Sequence, residues 1–197
     1  LSLRELGQFI TTLGKSLSES EYYSPAKDIW IHKSAIVSES AKVCPPCIVG
    51  ADTEIRHCAF IRGSVLIGKG CVIGNSTEIK NSILFDIVKA PHYNYIGDSI
   101  IGYKAHLGAG VIISNLKSDK SEVTINSDGE FIRTGMRKLG AIVGDEAEIG
   151  CSSVLCPGTI IGRNTTVYPL TTVRVTVRNN CIVKSSQLYI EKEQRNK

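Results

Sequence analysis

An aliphatic or aromatic residue falls on every sixth position through Ile31, Val37, Val43, Val49, Ile55, Ile61, Ile67, Ile73, Ile79 and Phe85. Two residues ahead of each lies a second inward set, mostly small: Ile29, Ala35, Ala41, Cys47, Thr53, Ala59, Val65, Cys71, Thr77 and Ile83. A 3.6-residue helix would smear these positions around its circumference, and a plain two-residue alternation would not make every third inward site large. A period of six belongs to a hexapeptide solenoid. Each hexad supplies one short strand and a turn, and three hexads close one triangular coil. A sandwich of short strands would instead show turn signals roughly every 8–12 residues and a phase that drifts.

Composition narrows the setting. The 197 residues are 42% hydrophobic, which suits one globular domain. No run approaches the roughly 20 apolar residues of a membrane span, and the start lacks the apolar core of a secretory signal. A scattered net charge of +4 gives no nucleic-acid footprint. These features predict a cytoplasmic protein with no membrane or nucleic-acid partner. Of seven cysteines, Cys47 and Cys71 take the small inward position of their hexads, where a compact apolar side chain is wanted. Cys44-Pro-Pro-Cys47 has the spacing of a redox or metal motif, but it sits in hexad phase without a second such pair, so it reads as packing and no metal is expected.

Outside the repeat, residues 2–18 read as a helix. Ser2 and Glu5 form a capping-box pair, and Leu3, Leu6, Ile10, Leu13 and Leu17 recur at helical spacing. Two heptads are too short to stand alone, so the helix is expected to dock on the open end of the solenoid or on its copy in a neighbouring subunit. The chain thus divides into a helix and linker (1–28), a β-helix (29–184) and a charged tail (185–197) that reads as helical or frayed. The phase breaks twice. The interval of eleven from Phe85 to Ile96 predicts an extruded loop at 86–94, and Ile101 then follows one residue early. A longer interruption at 114–140, with glycine between two β-rich runs, predicts a hairpin arm. Counting hexads gives six to seven coils, about 30 Å of prism at about 4.8 Å per layer.

Three hexads per coil stack residues 18 apart. Arg62 and Lys80 obey that spacing and each follows an inward isoleucine, so both point outward from one edge. Two stacked cations repel; a bound phosphate explains them, and so does solvation beside carboxylates such as Glu78. His92 lies in Lys89-Ala-Pro-His-Tyr-Asn-Tyr95 and is a candidate general base, although a lone histidine is more often a satisfied polar residue.

The hexads that begin at Thr53, Val65, Cys71, Thr77, Ala147 and Thr159 resemble those of the left-handed parallel β-helix acyltransferases. More specifically, 59–115 is similar to the C-terminal acetyltransferase domain of the bifunctional N-acetylglucosamine-1-phosphate uridyltransferases. That resemblance implies the left hand, a homotrimer, acetyl-CoA as co-substrate and a glucosamine-1-phosphate-like acceptor. It further implies His92 as base with Glu78 orienting it or the amine. Arg62, Lys80 and Tyr95 would hold the phosphate, with His106 and Asn115 also at the substrate. Ala109, Gly110, Cys151 and Arg174 would line the coenzyme A site, with an N–H near Ala109-Gly110 facing the oxyanion. The sequence departs from that pattern at His106, where the family has asparagine, and at Leu116, where it has an aromatic. Residues 1–28 are too short for a nucleotide-binding sheet, so no uridyltransferase chemistry is expected of this stretch. Two other readings stand beside this one: a non-catalytic trimerisation or regulatory prism, and a zinc enzyme, for which the histidine spacing is wrong.

Overall fold

The computed structural model describes residues 3–127 and 129–184. Ser2 of the expected capping box and the tail 185–197 lie outside the described residues. The chain winds as a left-handed parallel β-helix with one short helix and one hairpin. Face A runs from Ile29–His32 to Thr176–Val177, face B from Ile36–Val37 to Ile182–Val183, and face C from Lys42–Val43 to Thr172–Val173. Faces A and B hold eight parallel strands each and face C seven, with Tyr22–Tyr23 added antiparallel to the first edge of face A. That is more than the six to seven coils expected. Beyond Val173 the corner is two residues shorter, pairing Ile161 with Val177, and the stack runs on to Val183.

The inward isoleucines, leucines and valines fuse into one core, and Ile55, Ile61, Ile73, Ile79, Ile96 and Ile113 are wholly buried. Each contributes roughly 1.5–3 kcal/mol by leaving water. The small inward set bonds as well as fits: Thr53 Oγ1 donates to Gly68 O at 2.7 Å and accepts from Cys71 N–H at 3.1 Å. Corners cost backbone strain. Ile87 (φ 63°) and Tyr93 (φ 52°) hold the left-handed region on either side of one face B strand, a conformation rare for such side chains.

The first phase break falls elsewhere than the spacing predicts. Leu84, not Phe85, is the inward residue after Ile79; it is fully buried beside Ile67, while Phe85 is 52% exposed. From Leu84 the period resumes through Ala90 and Ile96, so 86–94 is no extruded loop. It contains the face B strand Lys89–His92, paired with Val72–Asn75. The cause is a shortened corner. Lys80-Asn81 turns where the preceding coil uses Arg62-Gly63-Ser64, with Asn81 at φ 46°, and Gly97-Asp98 repeats the short form with Asp98 at φ 50°.

The helix, α1 (Leu6–Gly14), starts at Glu5 without a side-chain cap. It docks on the flank of face A rather than on the open end: Leu6 and Ile10 are wholly buried against Ile48, with Leu66 and Ile83 beside them. Those outward positions of face A are apolar, which supplies the groove. The first edge is covered instead by Tyr22–Tyr23. The arm forms as expected, with Thr124–Ser127 antiparallel to Glu130–Arg133. It leaves from the corner between faces C and A, between Ile113 and Ala141, and is closed at its root by the Leu116–Lys138 bridge.

Candidate active site

Face C carries the candidate side chains along both of its edges. At the edge shared with face A, Arg62 and Lys80 stand on successive coils as the 18-residue spacing predicts. Neither cation is bare. Arg62 Nη1 donates to Glu78 Oε1 at 2.7 Å, and Lys80 Nζ lies 3.2 Å from Asp98 Oδ2. Asp98 is 4% exposed. It also accepts from Asn81 Nδ2 at 2.7 Å and from Asn115 Nδ2. The carboxylate thus ties three consecutive coils into one network, which a buried charge requires.

Tyr95 pairs in register with Glu78 on the middle of the face. Its hydroxyl leans over Gly97, where an added Cβ would meet Tyr95 Oη at 2.8 Å and Asn115 Nδ2 at 2.7 Å. Burial, then the charges of Glu78 and Asp98, push the Tyr95 phenol above its ordinary pKa against a bond from Asn115. It is therefore a neutral donor. The structure gathers Arg62, Glu78, Lys80, Tyr95 and Asn115 at one edge, around an aspartate that sequence reasoning passed over. The shortened corner hid it: Lys80 pairs in register with Gly97, and Asp98 is the corner residue that follows.

The opposite edge, between faces B and C, carries His92. Asn75, His92, Ala109 and Cys151 stack on consecutive coils, linked by Tyr93 N–H to Asn75 O (2.9 Å), Gly110 N–H to His92 O (3.0 Å) and Ser152 N–H to Ala109 O (2.8 Å). The coils close tightly here, because a Cβ on Gly74 would sit 1.5 Å from Pro91 O. Gly110 N–H is consumed by that ladder, whereas Ala109 N–H has no acceptor among the described residues. Of the four histidines, three are engaged: His32 with Ser34 (2.8 Å), His57 with Ser40 (2.7 Å) and His106 with Glu148 (2.8 Å). The exposed His92 ring bonds to no residue among those described; its backbone alone is held, the N–H by Asn94 Oδ1 at 3.2 Å and the carbonyl by Gly110 N–H.

Two expected groupings are not made within one chain. Glu78 is spent on Arg62 and makes no hydrogen bond to His92, which stands across the face from that pair. His106 is on face B, hydrogen-bonded to Glu148, away from Arg62 and Lys80 on face C. Arg174 is exposed at the same corner as Arg62 and Lys80, four coils beyond Lys80 along the stack, and Cys151 is two coils from His92. Among the described residues no three metal-ligating side chains cluster, and no helix is long and apolar enough to cross a membrane.

Three-faced coils of this kind define a hexapeptide-repeat, left-handed parallel β-helix. Within that class the chain is similar to the C-terminal domain of the bifunctional GlmU proteins. A family model described as the GMPPB C-terminal domain matches residues 43–136. The bifunctional sugar-1-phosphate nucleotidylyltransferase/acetyltransferase of Sulfurisphaera tokodaii is 40% identical over 90 residues, 46% of this chain and 22% of that protein. The bifunctional protein GlmU of Methanococcus vannielii is 32% identical over 135 residues, 68% of this chain and 32% of its own length. The chain thus spans a third or less of these relatives. A hexapeptide transferase family protein from Anaplasma phagocytophilum shares the fold, with a TM-score of 0.50 at 14% identity over 70% of this chain and 72% of that one.

Proposed function

We propose that this domain transfers an acetyl group from acetyl-CoA to the amine of a phosphorylated amino sugar, glucosamine-1-phosphate-like, with His92 as general base. The observation that carries the reading is the contrast among the histidines. His92 alone makes no ring hydrogen bond among the described residues, and it stands one coil from Ala109, whose N–H has no acceptor there. In the reaction the sugar nitrogen attacks the thioester carbon while His92 accepts the proton that the nitrogen sheds. Ala109 N–H faces the oxygen as it becomes anionic, and the C–S bond then breaks to release the coenzyme A thiol. Arg62, Lys80 and Tyr95 hold the phosphate, for which Glu78 and Asp98 keep both cations oriented until it arrives. Cys151 and Arg174 flank the run of later coils along which the pantetheine arm lies.

The prism acts as a homotrimer. Ile112, exposed on face C, and Ile87 and Tyr103, exposed at the corners between faces A and B, support that assembly. Packing face B of one copy on face C of the next brings His106 to the substrate edge it lacks within its own chain.

The test is thiol release from acetyl-CoA with glucosamine-1-phosphate, for the wild type, His92→Ala and a glucosamine control. Loss of the base should lower kcat by about 10²–10⁴, and glucosamine should react poorly. Equal rates for His92→Ala would remove the base assignment. The pairing of both cations with carboxylates favours one rival reading, a scaffold that has lost its reaction; failure to bind either coenzyme A or a sugar phosphate would establish it.

A further inference from the structure

At the root of the arm lies a cleft of about 580 Å³, bounded by the short corner, the N-terminal segment and the two ends of the hairpin. Its volume falls in the range that holds a ligand much larger than one phosphate. Lys120, Arg137 and Lys138 line it, and none has a carboxylate within 4.0 Å among the described residues. Arg137 Nε donates to Lys120 O at 3.3 Å, which fastens two of these cations to a common rim, and a fourth lining cation, Arg4, donates to Gly135 O. The one acidic lining residue is Asp98, and its oxygens are already taken by Lys80, Asn81 and Asn115. The field inside the cleft is therefore positive. Between the cations the wall is apolar, formed by Leu116 and Met136 with Leu3.

We infer that this cleft binds a nucleoside diphosphate, with its phosphates on Lys120, Arg137 and Lys138 and its base against Leu116 and Met136. A flexible thioether and a leucine suit the face of a flat ring, and three cations exceed what a single phosphate monoester needs. The cleft adjoins Lys80 through Asp98, so the nucleotide continues the edge on which the sugar phosphate is proposed to sit. The acceptor is then an amino sugar carried on a nucleoside diphosphate, its amine directed across face C toward His92. The substrate assignment rests on the proposed acetyl transfer; the nucleotide site does not.

The experiment is equilibrium titration of the full chain with UDP, GDP, inorganic phosphate and coenzyme A. It compares the wild type with the single variants Lys120→Ala, Arg137→Ala and Lys138→Ala, and with the triple variant. Expected is binding of UDP or GDP well above that of phosphate, weakened about tenfold per cation removed and weakened by added salt. Coenzyme A should bind the triple variant as it binds the wild type. The exposed positions of these side chains leave the fold intact, which circular dichroism checks; Lys138→Glu, a reversal of charge, should weaken the nucleotide further than Lys138→Ala. The site is overturned if neither nucleotide binds better than phosphate, if the triple variant binds it as well as the wild type, or if coenzyme A displaces it from the cleft. Acetyl transfer fails on a different readout: no thiol release with either the sugar phosphate or the nucleotide-linked amino sugar, whatever the titration shows.

Discussion

Lys80 Nζ and Asp98 Oδ2 lie 3.2 Å apart on adjacent coils, joining a half-buried cation to a carboxylate that is 4% exposed. Removing one partner of such a pair leaves a charge with poor access to water. Asp98→Ala should therefore destabilise the prism by about 3 kcal/mol in urea denaturation. Glu78→Gln, at the more exposed Arg62 pair, should barely move the midpoint. Equal shifts for the two variants would mean that Asp98 does not act as the tie between coils.

Gly74 is where the coil that bears His92 closes on its neighbour. A methyl group there would lie 1.5 Å from Pro91 O and 2.1 Å from Pro91 C, both backbone atoms that move only with the strand. Gly74→Ala should cost about 1–3 kcal/mol as an overpacked site and should displace the Pro91-His92 corner. Thiol-release activity should then fall much further than the folded fraction measured by circular dichroism. Full activity in a folded variant would show that the corner yields without carrying His92 with it.

The repeat was legible because its inward residues obey a period that no other architecture shares, and that alone placed Arg62 over Lys80. What the spacing missed follows from corners. Losing one residue at Asn81 exchanges Leu84 for Phe85 at the core, and both are apolar, so hydropathy cannot tell which way the chain has slipped. The seat of α1 was hidden for a related reason. Ile48, Leu66 and Ile83 point outward from three neighbouring strands whose inward positions are mostly apolar too, and only the structure shows that a helix covers them. His92 was found as a residue but not as a geometry, since an unbonded imidazole is known only once the partners of the other three are known.

The helix is predicted to be a separable element. Leu6 and Ile10 are its two wholly buried large side chains, and they meet outward residues of face A rather than the solenoid core. Ile10→Ala removes about 2–5 kcal/mol of packing, which a nine-residue helix has no internal means to replace. Limited proteolysis should then cut the N-terminal segment of the variant, while the thermal midpoint of the β signal stays within a few degrees of wild type. A single cooperative transition shifted to much lower temperature would make the helix integral to the coil stack.

Cys47 gives the pH prediction its sign. Its thiol is wholly buried between coils, and burial, with a smaller effect from Cys44, pushes its pKa from 9.0 up to about 12. Below pH 9 both folded and unfolded chains hold the proton, and the group adds no pH dependence. Above it the unfolded chain releases the proton while the folded chain keeps it, so stability falls as pH rises toward 12. At pH 10.5 the loss from this one group is about 2 kcal/mol. Cys71, raised to about 11, adds to it over the same window. Cys47→Ala lacks the first contribution. It should be the less stable protein at pH 7.5, by the methylene-sized cavity it leaves, and should draw level with or overtake the wild type by pH 10.5 in urea titrations. A gap that stayed constant or widened with pH would mean that the thiol ionises in the folded chain, and hence that water reaches the small inward position of this coil.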